Sequence, residues 1–401
     1  MTIARTATPS TARAINDRLA LDLLLAQGPL TATELRGLTG LSRPTVADLL
    51  ERLQRGGLVT VAGESGEQRR GPNARLYALV ADRAHLAGID VRATGVTLVV
   101  ADLTGRTVAT AEVSAGPEHG ADLTGRTLKA LAEACAGAGV RRLHTVAVGA
   151  PGVVDPATGE LHNSGQLPRW HAELLAGLRA QPETEVLLEN EVNLAGIAEH
   201  RIGAAQGRED FVLFWLGHGT GASVVLGGRL RRGASGGTGE IGFLPVPGTG
   251  GLPTADGCDN GFDSTVSSRA VCELAREHGL TVPPGGPVEQ AEGVLRAAVE
   301  AGGAAGAGGS AEAAFLTELA ERIAIGVAAV CVVLDPGCVV LGGELGRAGG
   351  AELAALVERR LAGLCPFTTE VRPGAAGGGA VLAGAVLTAG DAVRRDFFGE
   401  P

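Results

Sequence analysis

Ser42, Arg43 and Thr45 stand together where an apolar-periodic stretch begins, and Arg69 with Arg70 stands between two short alternating stretches. Small hydroxyls and a guanidinium in the first turn of a helix can reach base edges, and an arginine pair on a protruding tip can meet phosphate. Nucleic-acid recognition is the chemistry that this set could perform. Charge is distributed in the same sense. Residues 1–75 carry 10 arginines against 7 acidic groups and residues 76–401 carry 24 basic against 37 acidic, so the net charge of -10 divides into +3 and -13. An acidic body repels phosphates, which confines the expected contact to the N-terminal piece. The six cysteines (Cys135, Cys258, Cys272, Cys331, Cys338, Cys365) are scattered, with no CxxC pair and no secretory signal ahead of them. That usage points to a reducing, cytoplasmic setting.

Particular elements must position the candidate DNA-contacting residues. After a start expected to be disordered (residues 1–12), Ile15, Leu19, Leu23 and Leu24 recur at helical spacing until Gly28-Pro29. Residues 31–39 predict a short second helix and Gly40 a turn. Ser42 can cap a third helix that runs to about Gln54 and stops at Gly56-Gly57. Pro44 fits the first turn of that helix, and Val46, Leu49, Leu50 and Leu53 give it an inward face. The following GLVTVAGESGEQRRGPNARLYAL reads as a β-hairpin with a Gly-, Arg- and Pro-rich tip. Three helices, a tight turn before the third and a basic hairpin over residues 13–80 resemble a winged helix-turn-helix of the bacterial repressor type. The alternative is a small helical interaction module whose arginines are solvated.

Beyond residue 85, HLAGIDVRATGVTLVVADLTGRTVAT predicts two apolar strands joined at Thr104-Gly105, followed by a helix over about 122–137 and the strand-loop TVAVGAPGVVD. Alternating strands and helices favour an α/β sheet. ADLTGRT occurs at 101–107 and again at 121–127 without further self-similarity, which reads as chance or a local duplication. Residues 299–311 read as a low-complexity flexible loop, and AAFLTELAERIAIGVAAVCVVLDP as a long helix entering a strand. The apolar runs contain glycines and fall short of the roughly 20 residues a membrane span needs, so no membrane partner is expected.

Six segments, AGIDVRATGVTLVVADLTG, VAVGAPGVVD, LPRW, LLENEVNLAGIAE, LGHGTGASVVLGGRLRRGASGGTGEIG and LDPGCVVLGGEL, stand in the order and spacing of the ROK family of repressors, open reading frames and sugar kinases. The chain resembles that family over nearly its whole length. The resemblance implies an α/β fold: an N-terminal winged helix-turn-helix, then a two-lobed actin-like (ribonuclease H-like) sugar kinase fold over residues 85–401 that binds effector and oligomerises.

It also implies where kinase chemistry would sit. The family's first phosphate loop has the form DxGGTK, and this chain reads Asp90-Val91-Arg92-Ala93-Thr94-Gly95, both loop glycines replaced. Arg92 either attracts an anion or belongs to a repurposed strand turn. The family's base lies in ENDxN, here Glu189-Asn190-Glu191-Val192-Asn193, with Glu191 at the aspartate's position. Its extra methylene displaces the carboxylate by about 1 Å, enough to cost large factors in rate. Asn190 and Glu191 are therefore read as hydroxyl binders and no residue as catalytic. The loop GHGTG at 217–221 either cradles phosphate or turns a hairpin, and His218 reads as a loop residue. The family's zinc site is expected to be lost: Phe243, Ala255, Gly257 and Phe262 take the ligand positions, and Cys258 is one place off. Glu240 is retained, which leaves Asn190, Glu191 and Glu240 either as an effector site or as groups that satisfy backbone donors and bind nothing. Gly342-Gly343, near the adenosine in kinase relatives, can equally serve a strand-to-helix turn.

The resulting expectation is a transcriptional regulator, a repressor of carbohydrate-related genes, with a degenerate kinase-like body as sugar or sugar-phosphate sensor. It is expected to use no cofactor, to bind a double-stranded DNA operator and to form a homodimer or homotetramer. The alternatives are an active carbohydrate kinase that also binds DNA and a ligand-independent scaffold.

Overall fold

The computed structural model describes residues 9–64, 74–92, 94–115, 122–162, 170–305 and 309–399. Its N-terminal unit contains α1 (Pro9–Gln27), β1 (Leu30–Thr31), α2 (Ala32–Thr39), α3 (Arg43–Arg55), β2 (Val59–Glu64) and β3 (Arg75–Leu79), with strand order β1-β3-β2. Helix α1 takes in residues 9–12, which the sequence assigns to an irregular start. Thr31 and Glu34 form a reciprocal capping box on α2, and Gly40 ends that helix in the left-handed conformation at φ 69°. Ser42 then caps α3 by accepting the Thr45 N–H, with Pro44 in the first turn as expected. Val46, Leu49, Leu50 and Leu53 are buried against Leu21, Leu24 and Leu35. Arg69 and Arg70 of the wing tip lie outside the described residues.

A 3-10 turn at Ala81–Arg83 leads into the body. The first sheet of the body is built from β4 (His85–Arg92), β5 (Gly95–Asp102), β6 (Thr107–Ser114), β7 (Thr145–Ala150) and, after the small β8 (Val153–Val154) and β9 (Leu161–His162) pair, β10 (Glu185–Asn190). Helix α4 (Leu123–Gly137) precedes β7, α5 (Trp170–Arg179) precedes β10, and α6 (Glu191–Ile202) follows it. The order is β10-β7-β4-β5-β6, with β10, β7 and β4 parallel. Here the structure corrects the two-strand expectation: residues 85–114 make three antiparallel strands. The additional turn falls at Arg92–Gly95, where a Cβ on Gly95 would lie 2.4 Å from the Val113 carbonyl.

The second sheet contains β11 (Phe211–Leu216), β12 (Thr220–Leu226) and β13 (Arg229–Arg231). After α7 (Asp263–Val266), α8 (Ser268–Glu277), α9 (Pro287–Ala305) and α10 (Ala311–Leu334) come β14 (Cys338–Gly342), α11 (Gly343–Leu361), β15 (Glu370–Pro373) and α12 (Ala380–Phe398). Its order is β13-β12-β11-β14-β15. Helix α9 continues through Ala305, so the first half of the expected loop at 299–311 is helical, and Ser310 caps α10. Glycine is costly in a helix interior, so Gly302 and Gly303 hide from the sequence that α9 runs on to Ala305. No helix among the described residues is long and apolar enough to cross a membrane.

Helix α12 ties the parts together. Gly384 lies so close to α6 that a Cβ would stand 1.9 Å from the Leu194 carbonyl oxygen, and Gly88 likewise admits α12 onto β4. At its far end Phe398, 5 % exposed, enters the winged-helix core with Leu21, Leu50 and Leu79. The Arg18 guanidinium donates to the Gly399 carbonyl beside it.

Candidate functional site: recognition helix and interlobe cleft

The first turn of α3 presents Ser42, Arg43 and Thr45 to solvent. The Ser42 hydroxyl is engaged by the Thr45 N–H at 3.3 Å and by the Thr45 hydroxyl at 2.8 Å, so it shapes the helix start as well as facing outward. Arg43 extends from that start. Arg52, one helical face away, is held by Asp17 at 2.5 Å and Asp48 at 2.7 Å. The Asp17 pair fixes α3 against α1, whereas Asp48 lies on α3 itself, and among the described residues Arg43 has no carboxylate within ion-pair distance.

In the body, the parallel register places Asp90 beside Gly149 and Asn190 beside Ala150, at the carboxyl ends of β4, β7 and β10. Ligand sites of open α/β sheets form at such ends. Asn190 caps α6: its Oδ1 accepts from Val192 N at 2.9 Å and Asn193 N at 3.1 Å, while its Nδ2 donates to the Gly152 carbonyl and to Glu191 Oε2. Its polar atoms are committed to the local backbone and to the Glu191 carboxylate. Glu189 is buried and accepts from Arg232 at 2.7 Å and Asn193 at 2.9 Å.

Glu191 faces the cleft at the first position of α6. Burial, reinforced by the negative charges of Asp90 and Glu240, pushes its carboxyl up to about 7. Asp90 is also raised by burial, with Arg92 opposing the shift. Burial raises Glu240 too, although its side chain reaches solvent at the cleft edge. Gly239 sets that position, its carbonyl accepting from Ala222 N on β12 at 2.8 Å. Asp90, Glu191 and Glu240 thus share one electrostatic environment, and Asn190 braces it.

Arg92 stands where the resemblance places the first phosphate loop. Its Nε donates to Asp90 Oδ2 at 2.8 Å and its NH1 to Glu344 Oε1 at 3.1 Å. The second contact joins β4 of one lobe to the start of α11 in the other. Burial opposes the charged guanidinium, and the Asp90, Glu344 and Glu191 carboxylates outweigh it and raise the Arg92 pKa. Behind the pair lies a small cavity of about 80 Å³, lined by Arg92, Glu199, Trp215, Gly343, Glu344 and Arg347. The GHGTG loop closes β11 onto β12. Its Thr220 N–H and hydroxyl are bound to Asp263 at 2.9 and 3.1 Å, and its Gly217 carbonyl accepts from the Ser268 N–H and hydroxyl. His218 is exposed.

At the positions where the resemblance places zinc ligands, Phe262 is fully buried, edge-on to Phe214 at 6.4 Å, and Phe243 is 39 % exposed. Phe262 packs so tightly beneath α10 that a Cβ on Gly326 would lie 2.4 Å from its ring. Hydrophobic anchoring holds this loop. Cys258 is half-buried, its thiol raised mainly by burial, and no group of three His, Cys, Asp or Glu among the described residues is placed to hold a metal ion.

Sequence reasoning missed Glu344 and Arg232 as partners of the cleft residues. The alternation of Asp90 and Arg92 along a strand did place both on one face, but nothing local announces an acceptor 252 positions away.

Comparison with known proteins agrees with this architecture. The ROK family profile matches residues 86–391, and a profile described as winged helix-turn-helix DNA-binding matches residues 13–60. A glucokinase of Halalkalibacterium halodurans is 27 % identical over 207 residues, covering 51 % of this chain and 62 % of that protein. The DNA-binding transcriptional dual regulator NagC of Escherichia coli is 25 % identical over 244 residues, covering 58 % and 57 %. The chain thus spans about six-tenths of the length of these relatives. A crystal structure described as a ROK family transcriptional regulator, homolog of the E. coli MLC protein, superposes with a TM-score of 0.72 over 97 % of both chains at 18 % identity, a likeness of fold. With the family profile spanning both lobes and the winged helix ahead of them, this chain belongs to the ROK family.

Proposed function

We propose that the protein is a DNA-binding transcriptional regulator, a repressor of carbohydrate-related genes, whose kinase-like body senses a sugar or sugar phosphate. The observation that carries this reading is Arg92. A guanidinium paired to both Asp90 and Glu344 stands where kinase relatives admit phosphate, while the helix start at Ser42, Arg43 and Thr45 is open to solvent. Arg43 and Thr45 read bases, and Arg69 and Arg70 of the wing meet phosphate or the minor groove. Glu191 and Glu240 accept the hydroxyls of the effector, with Asn190 holding α6 in register. The protein acts as a homodimer or homotetramer, and effector binding alters the spacing of two recognition helices relative to half-sites about one DNA turn apart.

A gel-shift titration against DNA upstream of its own gene tests this. Binding should prefer that DNA over random duplex and weaken steeply with salt. No preference over random DNA overturns the proposal.

One observation favours a second reading. A carboxyl with a pKa of about 7 is suited to general-base work, so Glu191 has the protonation behaviour a sugar kinase would need. ATP turnover across a hexose panel that disappears in Glu191→Gln would establish that reading. Turnover at background level in both proteins would remove it.

A further inference from the structure

A second concavity lies outside the cleft, where the 3-10 turn Ala81–Arg83 leaves the winged helix for β4. It encloses about 350 Å³, and its walls include Arg83, His85, Arg141, Arg142, His144 and Phe397. Asp82 is the carboxylate in the lining. On a body whose net charge is -13, this is a concentrated basic spot.

The partners of these groups differ. Arg142 pairs with Glu183, His144 Nε2 lies 3.3 Å from Asp396, and His85 Nε2 lies 3.7 Å from Asp82. Among the described residues neither Arg83 nor Arg141 has a carboxylate within ion-pair distance. Arg83 instead lies over the Phe397 ring, 4.5 Å from its centroid. Two guanidiniums without a paired carboxylate line the same hollow, and a bound anion would offset their like charge. Guanidinium groups also match the oxygens of a phosphate in paired hydrogen bonds. The volume suits a small molecule. A hollow of this volume is too small to seat a duplex.

We propose that this concavity is a second ligand site, distinct from the interlobe cleft, for a small molecule bearing a phosphate group. Arg83 comes from the connection to the winged helix, Arg141 from the loop between α4 and β7, and Phe397 from the helix whose next residue enters the winged-helix core. A phosphate held between Arg83 and Arg141 therefore bridges the connection and the body. Its binding and DNA binding should influence each other reciprocally.

The test is titration of the full chain with inorganic phosphate and with pyrophosphate, followed by calorimetry, against sodium chloride at matched ionic strength. Saturable binding is expected, weakened about tenfold or more in Arg141→Glu and in Arg83→Glu and unchanged in Arg92→Ala, which alters the cleft alone. Arg141→Ala, at an exposed and unpaired position, serves as the milder variant, and circular dichroism checks that each variant is folded. Retention of phosphate affinity in both Arg141 variants overturns the proposal, as does its loss in Arg92→Ala, which would place the anion in the cleft. Absence of phosphate binding together with a DNA salt dependence reduced by about one ion in Arg141→Ala would assign the arginine to the DNA backbone and equally overturn it. The Arg92→Ala control separates binding at this site from phosphate binding in the cleft, so failure here and failure of the proposed sensing are distinguishable.

Discussion

Glu191 concentrates the electrostatics of the cleft. Its folded-state pKa of about 7 exceeds the ordinary 4.5, so folding favours the protonated acid. That contribution to stability is complete below pH 4.5 and is lost as the pH rises through 7. Glu191→Gln remains neutral throughout. Denaturant unfolding at pH 5 and pH 8 should therefore show the wild type losing up to about 3 kcal/mol relative to the variant. Arg92 pulls the same carboxyl downward, so Arg92→Ala should shift the Glu191 titration to higher pH, as followed by carbon-13 NMR of the side chain. A downward shift would mean that the guanidinium does not act on Glu191. The sequence signalled Asp90, Arg92 and Glu191 individually, because each departs from or keeps a recognisable pattern. It could not show that Arg92 reaches Glu344, since that pairing depends on how the two lobes meet. Nor could it show that Asn190 is a helix cap, because an amide before a helix can serve ligand or backbone equally well.

At the scale of the element, α3 was the most legible part of the chain. A capping serine, a proline in the first turn, four apolar positions on one face and a glycine pair after the end are all local signals, and each acts within a few residues. Ser42→Ala should cost about 1 kcal/mol through the lost cap and should also weaken operator binding, measured by thermal unfolding and gel shift on the same protein. Helix α12 was illegible in its most consequential respect. No local signal shows that one face lies on α6 or that its end enters the winged-helix core. Phe398→Ala should destabilise the winged helix by about 3 kcal/mol while leaving the two lobes folded. Hydrogen exchange should show the loss of protection confined to residues 20–60; uniform loss across the lobes would contradict that division.

The whole molecule is one path of packed elements. The cleft residue Glu191 begins α6, α6 lies against α12 at Leu194 and Gly384, and α12 ends among Leu21, Leu50 and Leu79. A ligand that moved α6 would therefore act on the DNA-binding unit without touching it. An effector present at 100 times its dissociation constant should stabilise the full chain by about 2.7 kcal/mol, and a thermal-shift screen of sugars and sugar phosphates would find it. Flat curves across the panel would instead favour a body that acts as a scaffold. Charge arithmetic foresaw the division between basic head and acidic body, but a sum over residues cannot reveal a local basic hollow such as that around Arg83 and Arg141. The union of Phe398 and Gly399 with the first helix also has a meaning in time. Arg18 and Gly399 are 381 positions apart. At about 5–20 residues per second, a ribosome needs roughly 20–80 s to make the stretch between them. During that interval the winged-helix core lacks the Phe398 ring. A chain that lacks Phe398 keeps that gap, so its winged helix should be less stable than in a chain that carries the residue.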